Sequence, residues 1–578
     1  MKKILKRRIS QIDHGQFDDG THPLLQHIYQ LRGINSSNAL TRSISALTTF
    51  ETLTGISTAV AVLYQAITEQ QHILVVGDFD ADGATSTALI VKALRALGIS
   101  NVNYLVPDRF ADGYGLSENV VKHAMQVPTQ LIITVDNGIS SFEGVRLAKK
   151  HGIKVIITDH HLPSHVLPEA DAIINPNLPN CAFPSKSLAG VGVAFYFMLA
   201  FRAHLRKQNW FTLQGITELN MATLLDLVAL GTVADVVTLD RNNRILVYQG
   251  ICRIRHGLGS IGINTLIKIS NKQSDKLTAS DLGYLLAPRL NAAGRMENMA
   301  IGVELLLSEN AVEAMEIAKE LDALNNERRN IEQTMQLEAM GFIKQIESSL
   351  QEIPHGIVIF HPDWHQGVIG ILSARIKDRY YRPVISFATA GNEILKGSGR
   401  SIIPGFHLRD ALERIDTSNP GLIACFGGHA MAAGLTIAKK NIQKFEHCFA
   451  KIAREMLDDN LLNHIILSDG ELASEWVNYD VANLIKEGGP WGQGFPEPLF
   501  DGDFYLHQQR IVGDKHLNVV VQSCSGGPLL EGIAFNVDKL DWPDQSIKQI
   551  KLAYHLDINE FRGQKKLQLL IRHLWVTG

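Results

Sequence analysis

The stretch VVGDFDADGATST, Val75 to Thr87, sets Asp78, Asp80 and Asp82 on alternate positions between an apolar run and a helical pattern. Like charges this close resist ionising together. Either full solvation or bound cations must offset them. The run before them reads as a buried strand, and ATSTALIVKALRALG after them has helical spacing. The neighbouring sequence repeats this unit. VNYLVPD, LIITVDN, KVIITDHH and AIINPN are further short apolar runs, separated by polar loops and amphipathic stretches such as SSFEGVRLAKKHG. Such alternation predicts an α/β fold with a mainly parallel sheet covered on both faces. In sheets of this kind ligands gather beyond the carboxyl ends of the strands.

The ends of the runs carry the chemistry. LIITVDN ends in Asp136, KVIITDHH ends in Asp159, His160 and His161, and the helical stretch MATLLDLVALGTVADVV delivers Asp235. A lone aspartate at a strand end is usually a cap or a turn residue. This set goes beyond that. In extended backbone alternate side chains point the same way, so the triple can present carboxylates to one point. Oxygen ligands suit Mg²⁺ and Mn²⁺, and an imidazole shifts the preference towards Mn²⁺. So many ligands predict two cations, and a pair about 3.5–4 Å apart can clamp a phosphoryl oxygen. The helix is expected to start after Gly83, which would let the chain turn and leave backbone N–H groups for a phosphate. Thr85 and Ser86 would either cap that helix or touch the phosphate.

At 578 residues the chain is too long for one core and predicts roughly three to four domains. Hydrophobic residues at 45% and charged residues at 20% are ordinary for a soluble globular protein. A net charge of −4 does not advertise a nucleic-acid binder, but a local basic groove would be enough. Five scattered cysteines without a CxxC pair argue against zinc–thiolate sites and a disulfide framework, and for a reducing compartment. The basic start MKKILKRRIS is followed by no long apolar core, so no secretory signal is read and a cytoplasmic location is expected. LAGVGVAFYFMLAF, Leu188 to Phe201, falls short of the ~20 residues that span a bilayer and reads as a buried helix.

From Asn310 to Leu350 there is one glycine and no proline, and Leu324, Ile331, Met335, Phe342 and Ile346 recur at helical spacing. This predicts an extended connecting helix. A second α/β block follows, with GIVIF and PVISFA as strands and VIGILSARIKDRY as a helix. It carries two stretches read as glycine-rich turns, KGSGRS (Lys396 to Ser401) and FGGHAMAAG (Phe426 to Gly434). Trp364 and His365 in HPDWHQG are read as leaning to a base contact rather than to packing. The last hundred or so residues hold the strand-like runs NVVVQS, LLEGIAFNV, KLAYHLDI and KLQLLIRHLW, which suit a small all-β barrel such as an OB-fold. Which of Phe504, Tyr505 and Phe535 face outward is not legible from spacing.

GDFDADG, TVDNG, TDHH and VADVV, in this order, resemble the DHH phosphoesterase family, and KGSGRS and FGGHAMAAG resemble its companion DHHA1 domain. PDRFADGYGL, SKSLAGVGVAF and PRLNAAGR narrow the resemblance to the family's bacterial single-strand-specific 5′→3′ DNA exonucleases, over nearly the whole chain. The resemblance implies an N-terminal segment at 1–70 packing on a DHH domain at 71–308. A connecting helix at 309–352, a DHHA1 domain at 353–458 and an OB-fold at 459–578 would follow. It implies a hydrolase that releases 5′-mononucleotides with two divalent cations, Mn²⁺ or Mg²⁺, in DNA recombination and repair. A single-strand-binding protein and a repair helicase would be its partners.

The residue roles follow from the same resemblance. Asp80, Asp82, Asp136, His160 and Asp235 would ligate the metals, with Asp78 in the same motif. Asp159 would orient the histidines, and His161 would meet the scissile phosphate. Ser398, Gly399, Arg400, Gly427, Gly428 and His429 would hold DNA phosphates, with Arg109 and Arg295 as candidates for the same work. Arg forks match phosphate oxygens. Another DHH phosphoesterase, acting on short oligonucleotides or cyclic dinucleotides, is the nearer alternative. A non-catalytic single-strand-binding scaffold is the alternative of another class.

Overall fold

In a computed structural model the chain is described except for residues 1–2, 11–14, 110, 351–352, 392, 402–405, 429, 459–461, 514, 538–541, 543, 545, 562–563 and 578. It divides into two compact units. One holds residues 6–294, 298–321 and 467–578; the other holds residues 1–5, 295–297 and 322–466.

In the first unit the five apolar runs form the expected sheet. Strands β1 (Ile73–Val76), β2 (Val102–Leu105), β3 (Leu131–Val135), β4 (Lys154–Thr158) and β5 (Ala172–Ile174) pair in parallel in the order β2-β1-β3-β4-β5. The three central strands are almost wholly buried, which is why they read as unbroken apolar runs. Helix α1 (Ala81–Ala96) follows β1 directly. Helix α2 (Gly190–Lys207) is the buried apolar helix, and α3 (Leu225–Ala234) is buried over most of its length. Helices α4 (Arg241–Arg255) and α5 (Ala287–Met296) complete the elements that bear on the site.

Helix α6 (Ala311–Leu350) is 40 residues long, as the glycine- and proline-poor pattern requires. The second unit carries a five-stranded mixed sheet. β6 (Ile357–Phe360), helix α7 (Ile369–Tyr380) and β7 (Val384–Thr389) form a parallel β–α–β unit. β8 (Ile394–Arg400), β9 (Cys425–Gly428) and β10 (Ala432–Ala438) extend it antiparallel, in the order β9-β10-β8-β7-β6.

Here the expectation of a glycine-rich turn at KGSGRS is wrong, since KGSGR ends strand β8; FGGHAMAAG does reverse the chain, but its glycines lie in the paired strands β9 and β10 on either side of the reversal. The two glycines of β8 are there for packing. A Cβ on Gly397 would lie 2.5 Å from Phe387 Cε1, and one on Gly399 would lie 2.7 Å from Leu408 Cδ2. Neighbouring side chains fill the space that a side chain on the strand would need.

The C-terminal region belongs to the first unit. Strands β11 (Phe500–Val512), β12 (His516–Ser523), β13 (Leu530–Ala534), β14 (Gln549–Phe561) and β15 (Gln564–Val576) close into a barrel in the order β11-β12-β13-β15-β14. This is the expected five-stranded OB-type closure. Phe504 is buried in it, whereas Tyr505 and Phe535 are about half exposed, at 44% and 51%. The N-terminal helix Pro23–Gln30 meets the segment leading to the barrel: Tyr29 stacks on Trp491 and Phe495, and Arg32 pairs with buried Asp469 at 3.0 Å. Among the described residues no single helix is long and apolar enough to cross a membrane.

Candidate metal centre

The carboxyl ends of β1, β3 and β4 and the end of α3 converge. Asp78, Asp80 and Asp136 form one group whose ligand atoms all lie within 4.8 Å of one another. Asp82, His160 and Asp235 form a second such group, and Asp136, His160 and His161 a third. The three overlap through Asp136 and His160 and so make one continuous centre.

The triple aspartate does not act as one ladder. Asp80 has extended backbone and caps α1, its Oδ1 accepting from the Gly83 N–H at 3.0 Å. Asp82 already lies in the first helical turn. The change from strand to helix geometry sends Asp82 to a different ligand group from Asp78 and Asp80. Asp82 accepts the N–H groups of Gly190 at 2.6 Å and Val191 at 3.0 Å, so the positive end of α2 offsets part of its charge.

Four expectations about this loop need correction. The helix starts at Ala81, ahead of Gly83, because Asp80 is its cap. Two of its first three N–H groups are taken rather than free: Asn291 Oδ1 accepts from Ala81, and Asp80 Oδ1 accepts from Gly83. Gly83 is a close-approach residue, since a Cβ there would lie 2.5 Å from the Asp78 carbonyl oxygen. Thr85 and Ser86 are fully buried, and Thr85 Oγ1 donates to the carbonyls of Ala81 and Asp82 inside the helix. Neither caps the helix nor reaches a phosphate.

Asp136 has φ +62°, a left-handed conformation rare outside glycine, at the point where β3 ends. Gly190 lets it fit, because a Cβ there would lie 2.5 Å from the Asp136 Cβ. Asp136 Oδ1 is buried and, among the described residues, accepts no hydrogen bond of good geometry. It faces His160 Nε2 at 3.0 Å, and the same nitrogen lies 3.5 Å from Asp235 Oδ2.

The electrostatics are those of a centre that needs cations. Burial, then the charge of Asp80, pushes Asp78 up to about 8 and Asp82 up to about 7. Burial, then the charges of Asp82 and Asp80, holds Asp136 and Asp235 well above the usual carboxylate range. Buried oxygen donors with an imidazole among them fit Mn²⁺ or Mg²⁺.

Asp159 stands outside these groups. Its Oδ2 accepts from Ile139 N–H, and its Oδ1 accepts from the backbone of His160 and His161 and lies 2.7 Å from His161 Nδ1. Burial would raise it, yet the His161 hydrogen bond and charge bring it down to about 2. For His161, burial lowers the affinity for a proton, but Asp159 overcomes this and raises it to about 9. His161 is therefore an imidazolium at neutral pH.

Arg109 lies with its guanidinium 4.1 Å over the Phe79 ring, in the field of Asp78 and Asp80. Sequence reasoning missed Tyr114, whose Oη lies 3.3 Å from His161 Nε2 and donates to the Asp136 carbonyl at 3.3 Å. It also missed Asn291, which pins the loop between Asp80 and Asp82. Both lie in landmark stretches, PDRFADGYGL and PRLNAAGR, but nothing in their spacing marks a partner far along the chain.

In the second unit Lys396, Ser398 and Arg400 share one face of β8 by alternation. Arg400 Nη1 donates to Ser398 Oγ at 3.2 Å. Both side chains lie at the first turn of α7, where a Cβ on Gly370 would meet Ser398 Oγ at 2.9 Å and Arg400 Nη2 at 3.0 Å. A guanidinium beside a hydroxyl can bind an anion, whereas the Ile369 and Ile371 N–H groups at the start of α7 already donate to the His365 and Val368 carbonyls. A Cβ on Gly427 would meet open space, whereas Gly428, at φ +141°, closes its own hairpin against Ala432. His429 lies outside the described residues. Arg295 Nη1 donates to the Gly367 carbonyl at 3.2 Å. Trp364 is a core residue, 4% exposed, with Nε1 donating to Glu338, so its leaning towards a base contact is overturned by packing.

Comparison with known proteins agrees with this architecture. The DHH family N-terminal domain matches residues 72–232, the DHHA1 domain matches 354–455 and the RecJ OB domain matches 468–573. The chain is 55% identical over 576 residues to the single-stranded-DNA-specific exonuclease RecJ of Escherichia coli, covering 100% of both chains. It is 56% identical to that of Dickeya dadantii, covering 97% of each. The crystal structure of RecJ from Thermus thermophilus in complex with Mn²⁺ superposes with a TM-score of 0.77 at 27% identity, over 96% of this chain and 76% of that one. The same protein has been solved with Mg²⁺. From the ordered domains and the full-length identity, the chain belongs to the RecJ family of DHH phosphoesterases.

Proposed function

We propose that this protein is a single-stranded-DNA-specific exonuclease that works 5′→3′ and releases 5′-mononucleotides. The observation that carries the reading is the convergence of Asp78, Asp80, Asp82, Asp136, His160, His161 and Asp235 into overlapping ligand groups at the strand ends. In this reading Asp78, Asp80, Asp82, Asp136, His160 and Asp235 hold two divalent cations. When bound, such a pair supplies a water deprotonated near neutral pH and neutralises charge on the phosphoryl oxygens.

The chain's own residues do the rest. His161, kept protonated by Asp159, donates to a phosphoryl oxygen as negative charge builds there. Arg109 stands ready for a neighbouring phosphate oxygen, held in place by the Phe79 ring. Ser398 and Arg400, at the start of α7, hold a further phosphate of the strand. The 3′-oxygen leaves and the 5′-mononucleotide departs. The exposed rings of Tyr505 and Phe535 offer stacking surfaces for the strand's bases on the barrel.

The test uses 5′-labelled and 3′-labelled single strands and matching duplexes, with Mn²⁺, Mg²⁺ or EDTA. Immediate release of labelled mononucleotide from the 5′ end of single strands alone, lost with EDTA and in Asp80→Ala, supports the assignment. Early release from the 3′ end would reverse the polarity. Cleavage of dinucleotides alone would keep the chemistry and remove the substrate.

A further inference from the structure

The chain that follows Asp235 is docked on the turn that leads into the barrel. Leu239 N–H donates to the Gln493 carbonyl at 2.8 Å. A Cβ on Gly494 would lie 2.5 Å from Thr238 Cγ2, and one on Gly492 would lie 2.7 Å from Leu239 Cδ1. The two segments therefore touch at a distance that only glycine permits. Gly494 also has φ +71°, which glycine adopts freely.

The turn itself is braced. Gly492 and Phe495 exchange backbone hydrogen bonds at 2.9 and 3.1 Å. Phe495 stacks on Trp491 and Tyr29, and Arg244 of α4 lies 4.5 Å over its ring. Asn243, also on α4, donates to the carbonyls of Thr238 and Ser187, which ties the docked segment to the chain just before α2. Strand β11 of the barrel begins five residues past Phe495.

Between Asp235 and this dock stands Val236, with φ +59° and 63% of its surface exposed. A β-branched residue in the left-handed region is strained, and such strain persists only where both sides of the joint are held. Helix α3 holds one side and the docked Thr238–Leu239 holds the other. If the dock loosens, Val236 relaxes and Asp235 moves with it.

We propose that the turn Gly492–Phe495 is a positioning element for the metal centre: it sets the place of Asp235 through the strained joint at Val236. The proposal rests on the reading of Asp235 as a metal ligand. It makes the segment entering the barrel part of the catalytic machinery at a distance, since a shift of the turn alters cation affinity without touching a ligand.

The experiment measures Mn²⁺ affinity directly, by calorimetric titration and by the Mn²⁺-dependent rise in melting temperature, beside the Mn²⁺ concentration that half-saturates nuclease activity and the KM for a long single strand, all on the full chain. Gly494→Ala is compared with Gly257→Ala, another left-handed glycine whose Cβ would meet open space. The expected result is a rise of about tenfold in half-saturating Mn²⁺ for Gly494→Ala alone, with KM for the strand unchanged, as for a supporting contact of a metal ligand. Adding Val236→Gly, which adopts the left-handed conformation without strain, should restore the Mn²⁺ response. If Gly494→Ala melts far below Gly257→Ala, Leu239→Ala carries the same expectation by removing the packing on Gly492. Unchanged Mn²⁺ dependence, a change in KM alone, or no recovery in the double variant would overturn the proposal. Asp235→Asn separates the two layers: if it leaves Mn²⁺ affinity unchanged, the ligand reading itself fails.

Discussion

Asp159 Oδ1 stands 2.7 Å from His161 Nδ1, and the two hold each other in the charged state. Removing that charge by Asp159→Asn leaves the shape and takes away the reason for His161 to stay protonated. Activity should fall about 10–100-fold, the usual loss when a supporting partner is removed. The alkaline limb of the rate profile, where His161 loses the proton that Asp159 holds on it, should move to lower pH. Rate profiles of the two proteins at saturating metal check this. An unmoved alkaline limb would detach His161 from the chemistry.

The raised carboxylates give cation-free protein a distinctive pH response. Asp78 and Asp82 titrate near about 8 and about 7 in the fold, and near ~4 in an unfolded chain. Between those values the folded state holds protons that the unfolded chain has lost. Their contribution to stability is therefore present at acid pH and lost as pH rises through 7 to 8. Melting in EDTA should occur at lower temperature at pH 9 than at pH 6, and the gain from added Mn²⁺ should be larger at pH 9. Asp136→Asn should raise cation-free stability at pH 9 while weakening the Mn²⁺ gain. A flat melting temperature in EDTA across that interval would contradict the electrostatic account.

Gly190→Ala changes no ligand and should still damage the centre. Its Cβ would lie 2.5 Å from Asp136 Cβ and 2.7 Å from Asp136 Oδ1, so one of them must shift. Displacement of a reacting-site group by ~1 Å costs about 100-fold in rate. Steady-state kinetics beside circular dichroism would separate this loss from unfolding.

Arg400 on β8 tests the phosphate assignment in the second unit. Arg400→Ala should weaken strand binding across all sequences alike and reduce the slope of log K against log salt by about 1. Arg400→Lys should recover only part, because the guanidinium fork is lost. A salt titration of fluorescent strands reads both effects.

On the barrel, neighbouring aromatic residues should behave in opposite ways. Tyr505→Ala and Phe535→Ala remove exposed rings and should weaken strand binding by about 1–3 kcal/mol per stacked base with little change in stability. Phe504→Ala removes a buried ring, 3% exposed, and should cost about 3–5 kcal/mol of stability instead. Equal behaviour of Phe504 and Tyr505 would void the distinction.

Much of this was legible in the chain before any coordinates. The five strands of the first sheet are short apolar runs because both faces are covered, and burial of that kind writes itself into composition. The strand ends then place Asp78, Asp136 and the histidine pair at the edge where a parallel sheet collects its ligands. The 40-residue helix announced itself by lacking breakers. Glycine misled where it served packing. In KGSGRS the glycines mark neither turn nor flexibility, because the rings and methyl groups that exclude a Cβ at Gly397 and Gly399 are distant in sequence.

Periodicity and charge spacing determined by themselves which elements form, which faces are apolar and which residue types collect at the strand ends, since those depend on interactions a few residues apart. Only the tertiary structure decided that Asp82 parts from Asp78 and Asp80, that Asn291 and Gly190 hold the metal loop, and that Leu239 docks on Gln493. Most of those relations join residues tens to hundreds of positions apart. No local pattern encodes them: they arise when packed elements leave one arrangement in which buried charges and backbone groups are all answered.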